Sequence, residues 1–301
     1  MYIADKLSTL LLKCLFVSLL IVTTLANVSA QSSSEAVSLT ERERSWVAEH
    51  PTITAVNNTA YAPFDYISAG EPAGLSIDYL NLITSKVGLK VQYVNYGSWF
   101  ENLKMGMEQK IDILPALSKT EDRQEYFTFS DPYIIDDLVF WGRVGSERIN
   151  NLKDLKDKRI GIIEGDSIFT FYQKHYPELN YVVFTTNMGA LNALISNVID
   201  VYPHETFPIE FSITQNSMQD IEVIGDEFFM KNSEIDQRIA VQKNNPILMS
   251  IINKSIATIT IEEFEAISNK WIKSDQTTDG LKLTSQELKW LAENKVIKVS
   301  A

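Results

Sequence analysis

Short apolar runs alternate with helix-spaced apolar stripes from residue 52 to residue 260. Runs suited to strands lie at 52–56, 90–96, 111–116, 138–142, 159–163, 181–184, 198–203, 221–224 and 238–241. They are short, rich in β-branched and aromatic residues, and bounded by polar or glycine-containing turns. Stripes with a period near 3.6 predict helices at 75–87, 99–109, 167–175, 188–197 and 246–260. In the fourth, Met188, Leu191, Leu194 and Ile195 fall at helical spacing and are expected to face a sheet. Strand and helix in alternation predict an α/β architecture.

A distinct unit precedes this pattern. Thr40 and Glu43 stand at capping-box spacing, so a helix is expected to begin there and carry Trp46 and Val47. It should stop at His50-Pro51, because proline pushes the residue before it out of the helical region. The same unit returns near the other end. Leu283-Thr284-Ser285-Gln286-Glu287 repeats the cap, Trp290 repeats Trp46 and Ile297 repeats Ile53, each pair 244 residues apart. Cap, tryptophan and strand in one register mark a repeat. Residues 283–301 are therefore expected to open a second copy, the chain being the front of a longer tandem protein.

The first 30 residues read as a secretory signal. Lys6 and Lys13 precede an apolar run of 13 residues, and Val28-Ser29-Ala30 forms a small-residue cleavage site. That run is short of the roughly 20 residues a membrane-spanning helix needs; an uncleaved anchor is the alternative. Residues 31–38 are a polar linker. A hydrophobic content of 45% suffices for a packed core, and a net charge of −12 argues against nucleic acid as a partner. The single cysteine, Cys14, lies inside the apolar run, which leaves the rest of the chain without thiol chemistry or disulfides. His50, His175 and His204 are scattered without metal-ligand spacing, and no glycine-rich phosphate loop follows a strand, so neither metal nor cofactor is expected.

Several segments carry a resemblance. Tyr61-Ala62-Pro63-Phe64-Asp65-Tyr66 is followed by Gly74 and Asp78-Tyr79-Leu80. Next come Ile111 to Arg123 (IDILPALSKTEDR), Phe129-Ser130-Asp131-Pro132-Tyr133 and Val198-Ile199-Asp200-Val201-Tyr202. With Asn253-Lys254 and Trp271, these resemble the family 3 periplasmic solute-binding proteins over residues 40–273. The lead-in helix and the tandem repeat are similar to the subset that forms sensor domains of membrane-bound histidine kinases. The resemblance implies a Venus-flytrap fold: two lobes, each a mixed sheet flanked by helices, joined by two crossing segments with the ligand between them. The binding domain would span 39–275, with lobe 1 at about 50–138 and 243–275 and lobe 2 at about 146–232. The crossings would lie near 139–144 and 230–241, and a linker at 276–282.

The resemblance also implies site residues. Arg123 would grip a ligand carboxylate with its planar fork, helped by the hydroxyls of Ser118 and Thr120. The alternative is a surface ion pair with Glu121 or Asp122. Glu205 would hold the ligand's ammonium from the other lobe, beside His204, completing a charge-complementary pair for an amino acid. Its alternatives are a solvated residue or a cap for the following helix. Ser167 opens a helix whose free N–H groups attract an anion; the alternative is an ordinary helix cap by Asp166 or Ser167, and Asp166 would disfavour an anion there. Tyr61 and Trp99 would enclose the ligand's aliphatic part or face its ammonium, and Asn58 stands where some amino-acid binders carry an acid. Phe64 is expected in the core. The expected function is non-enzymatic: a ligand sensor passing closure to a second copy and a membrane-bound output. The alternative is a free binding protein serving an ABC permease. A dehydratase-like use of Glu205 and His204 is a third reading, which fold analogy alone does not carry.

Overall fold

The computed structural model describes residues 36–227, 229–230 and 235–272. The expected signal peptide, the 276–282 linker and the second copy lie outside them. Helix α1 (Glu41–Glu49) starts as its sequence predicts: Thr40 Oγ1 accepts the Glu43 N–H, and Glu43 Oε2 accepts the Thr40 N–H at 2.6 Å. The chain then runs through β1 (Thr52–Val56), the short strands β2 (Ala60–Tyr61), β3 (Asp65–Ser68) and β4 (Glu71–Ala73), and helix α2 (Leu75–Ser85). Strand β5 (Lys90–Val94), helix α3 (Trp99–Met107), β6 (Ile113–Leu117) and β7 (Phe127–Phe129) follow.

A second lobe holds β8 (Leu138–Arg143), β9 (Arg159–Ile163), α4 (Ser167–His175), β10 (Asn180–Phe184) and α5 (Asn187–Ile195). It continues with β11 (Tyr202–Glu205), α6 (Thr206–Asn216) and β12 (Ile221–Asp226). The chain returns to the first lobe in β13 (Arg238–Gln242), followed by α7 (Pro246–Ile256) and α8 (Ile261–Trp271).

Lobe 1 is built on one five-stranded sheet in the order β5-β1-β6-β13-β7. β1 runs parallel to β5 and β6, and β13 antiparallel to β6 and β7. Ile53, Leu80, Ile83, Ile113, Ile239, Leu248, Ile251 and Ile252 form its core, together with side chains of α1 such as Trp46. Each fully buried aliphatic side chain contributes roughly 1.5–3 kcal/mol against the chain entropy. In lobe 2, β10-β9 pair in parallel and β11-β8-β12 pair antiparallel. The two groups meet where Ile160 pairs with Val201 and the Gly161 N–H donates to Val201 O at 2.8 Å.

The crossings differ from expectation. Leu138–Arg143 is the central strand of the lobe 2 sheet, and Arg238–Gln242 lies inside the lobe 1 sheet. The chain therefore changes lobe at 134–137 and returns between the end of β12 and the start of β13. There Ile134 and Gln237 pair antiparallel, the Gln237 N–H donating to Ile134 O at 2.9 Å. The strand expected at 198–203 begins only at Tyr202, because the Val198 and Ile199 N–H groups turn back to Ala193 O and close α5. On α5 itself Leu191 and Leu194 are buried, but Ile195, the last residue of the helix, is exposed. The β2-β3-β4 sheet, β7 and α6 were not resolved by periodicity.

Candidate functional site

A cleft of about 580 Å3, mouth included, lies between the lobes. Of the residues singled out in the sequence, Asn58, Tyr61, Trp99, Ser118, Arg123, Ser167, His204 and Glu205 line it. Thr120 does not. Its hydroxyl accepts the Arg123 N–H at 3.3 Å and so shapes the turn at Asp122–Glu125 that presents the arginine.

Arg123 is 5% exposed, which excludes a surface pair with Glu121 or Asp122. Its Nη1 donates to Ser118 O at 2.9 Å, and its Nη2 reaches across the cleft to Gly165 O at 3.0 Å. Trp99 Nε1 donates to the same carbonyl at 3.1 Å, with the guanidinium 6.0 Å from its ring centre. Burial pushes the Arg123 guanidinium down, partly offset by the carboxylate of Asp166.

Glu205 is the last residue of β11 and the cap residue of α6, yet its side chain makes no cap bond. Asp136, on the first crossing, does that work: it accepts the Thr206 hydroxyl and the Phe207 N–H, the latter at 3.0 Å. Burial holds Asp136 up at about 6. The Glu205 carboxylate is thereby free to face the cleft, where it is 2% exposed. Oε1 accepts from Tyr61 OH of the opposite lobe at 3.3 Å, and Gln237 Nε2 donates to that phenol oxygen at 2.8 Å. Oε2 lies 2.8 Å from His204 Nδ1, an ion-pair contact whose angle falls short of a hydrogen bond. Burial pushes Glu205 up, but the charge of His204 outweighs it and holds the carboxyl below its ordinary range. The converse holds for His204, which burial pushes down and Glu205 lifts above its usual value.

At the start of α4 Asp166 caps the helix, its Oδ1 accepting the Ile168 N–H at 2.9 Å and the Ser167 hydroxyl at 3.3 Å. Burial, then Glu205, push its carboxyl up. Asp65 also lines the cleft, its carboxylate held by Asn57 Nδ2 and by the Asn58 N–H at 2.8 Å. Burial lifts it to about 8. An acid thus reaches the wall beside Asn58 from elsewhere in the sequence. Phe64 is fully buried, as expected. Asp65, Gln237 and the run Thr185-Thr186-Asn187 were missed. The last could have been found, since ligands of α/β sheets gather where strands end and helices begin. Among the described residues no group of three or more histidine, cysteine, aspartate or glutamate side chains could hold a metal ion. Nor is any described helix long and apolar enough to cross a membrane.

The profile of the bacterial extracellular solute-binding proteins, family 3, matches residues 53–274. The chain belongs to that family. Family 3 proteins bind solutes and are not catalytic, so the acid–base reading of Glu205 and His204 is set aside. The virulence sensor protein BvgS of Bordetella pertussis is 22% identical over 235 residues, covering 78% of this chain and 19% of that protein. ABC transporter arginine-binding protein 1 of Escherichia coli K12 is 23% identical over 221 residues, covering 71% and 88%. The crystal structure of the second periplasmic Venus-flytrap domain of B. pertussis BvgS superposes with a TM-score of 0.67 at 20% identity, covering 78% and 99%. The chain spans about a fifth of the length of the curated sensor proteins it matches. As a family 3 domain it is thus similar to both sensor domains and amino-acid carriers.

Proposed function

We propose that the chain is the periplasmic ligand-binding part of a transmembrane signalling protein, and that it closes on an amine-bearing small molecule of amino-acid size. Glu205 carries the amine assignment. It is a buried carboxylate in the cleft, met by Tyr61 OH at Oε1 and by the charge of His204 Nδ1 2.8 Å from Oε2, which holds it ionised. A ligand ammonium brings donors to an oxygen that His204 meets by charge alone. Tyr61 and Trp99 flank it as aromatic walls, and Arg123 and Ser118 face it from lobe 1. Closure is a population shift driven by contacts that exist only when the lobes meet.

The sensor reading is supported by the similarity to BvgS and by the lead-in helix whose sequence recurs from Leu283. The signal-like first 30 residues support export. A free binding protein for an ABC importer is the second reading, favoured by the match to nearly the whole length of an arginine-binding protein. The gene beyond codon 301 separates them. A second copy, a membrane span and a kinase domain support the sensor, whereas a stop codon favours the carrier.

Calorimetric titration of the full chain with a panel of amino acids and amines tests the site. One compound should bind at micromolar strength, about −8 kcal/mol. Glu205→Ala should weaken it at least about a hundredfold, as loss of a buried charge partner does. Unchanged affinity in that variant rejects the amine assignment.

A further inference from the structure

We propose that Asp136 is a positioning residue of the ligand site: by filling the start of α6 from the crossing between the lobes, it keeps Glu205 turned into the cleft. The inference rests on Glu205 as the residue that holds the ligand, and adds the residue that keeps it in place.

Glu205 stands where its own helix could capture it. It is the cap residue of α6, with the extended backbone of such a position (φ −60°, ψ 153°). The first turn reads Thr206-Phe207-Pro208. Pro208 has no N–H to offer, and the Thr206 N–H donates to Asp137 O at 3.0 Å. The Phe207 N–H is the donor that still needs a side chain, and a cap residue ordinarily answers such a group itself. The positive end of the helix dipole draws a carboxylate the same way.

Asp136 takes that place instead. Its Oδ2 accepts the Phe207 N–H at 3.0 Å, and its Oδ1 accepts the Thr206 hydroxyl and the Asp137 N–H, the latter at 2.7 Å. Strand register brings it there, because Glu205 pairs with Leu138 across β11 and β8 and so sets residues 136 and 137 beside the first turn of α6. With the helix start occupied, Glu205 meets Tyr61 OH at 3.3 Å and His204 Nδ1 at 2.8 Å. The other crossing bears on the same carboxylate. Gln237, which pairs with Ile134, donates through Nε2 to Tyr61 OH at 2.8 Å.

His204 reports where Glu205 lies, with no ligand needed. The ring is 1% exposed, faced by Glu205 on its own strand and by Asp166 from the start of α4, with the rings of Tyr61 and Tyr202 against it. Its titration is followed by NMR in the full chain, with the exposed His50 and His175 replaced by glutamine. In Asp136→Ala the His204 pKa should fall by about one pH unit or more, as loss of a neighbouring carboxylate causes, toward its value in Glu205→Gln. Asp136→Asn removes the same charge but keeps a cap, and should leave His204 near its parent value. Asp136→Leu, close to aspartate in shape, replaces the alanine variant if that one does not fold, with the same expectation. An unchanged His204 in the folded alanine or leucine variant overturns the role. So does an equal fall in Asp136→Asn, which would trace the effect to charge and not to the cap. A fall confined to the variants without a cap, in a chain that binds no compound of the amino-acid and amine panel, upholds this role and rejects the amine assignment alone.

Discussion

Asp65 shows how a single side chain in the cleft sets the molecule's response to pH. It is 1% exposed, and burial lifts its carboxyl to about 8 although Asn57 and Asn58 both bond it. In the unfolded chain it returns to an ordinary aspartate value near 3.9. The folded state therefore binds this proton more tightly, and stability falls as pH rises from about 4 to about 8, then levels. Asp136, at about 6, and His204, lifted by Glu205, act with the same sign over their own windows. Asp65→Asn should flatten the loss between pH 6 and 8, read as the urea midpoint against pH. A slope identical to that of the parent would show that Asp65 is not its source. Arg123 and Glu205 were legible as cleft residues because each follows a strand in a recognisable segment. Asp65 and Gln237 were not, since nothing local to Asp65 announces Asn57 as its partner or Tyr61 as that of Gln237. The cap on α6 is the clearest case: Asp136 lies 70 residues from Thr206, beyond any capping pattern.

Elements whose ends are written locally were legible to the residue. Thr40 with Glu43 fixed the start of α1, and Ser167–His175 is a helix with the predicted bounds. Glu43 does more than cap. Its Oε1 accepts from Ser250 Oγ at 2.7 Å and its Oε2 from Lys254 Nζ at 2.6 Å, which fastens α1 to α7. Burial pushes Glu43 up, but Lys254 and Ser250 outweigh that and hold it at about 2. Its contribution is therefore present above about pH 4.5 and lost as pH falls toward 2. Glu43→Ala should cost about 2 kcal/mol at pH 7, since it removes a cap and leaves Lys254 without its partner. Chemical denaturation at pH 7 and at pH 3 checks this, and the cost should shrink at the lower value. Where an element depends on a distant partner, the pattern failed. Helix α6 begins Thr206-Phe207-Pro208, a weak helical start that relies on Asp136.

Gly165 is one of the groups through which the two lobes meet. Its φ of +78° suits glycine, and a Cβ there would come within 3.1 Å of Phe100 Cα and 3.3 Å of Phe100 Cβ on the opposite lobe. Backbone cannot swing aside as a side-chain tip can, so the lobes would have to stand further apart. Gly165→Ala should weaken ligand affinity about tenfold, or about 1.4 kcal/mol, while each lobe keeps its own core; titration beside a melting curve checks both. The seams between the lobes were not written in the apolar pattern, because the Ile134–Gln237 bridge that marks them joins residues 103 apart in the chain. The same meeting point has an optical side. Trp99 donates its indole N–H to Gly165 O across the cleft. Parting of the lobes exchanges that carbonyl for mobile water around the ring. With the other four tryptophans replaced by phenylalanine, the emission colour of Trp99 thus carries a label-free record of how far the clamp has opened.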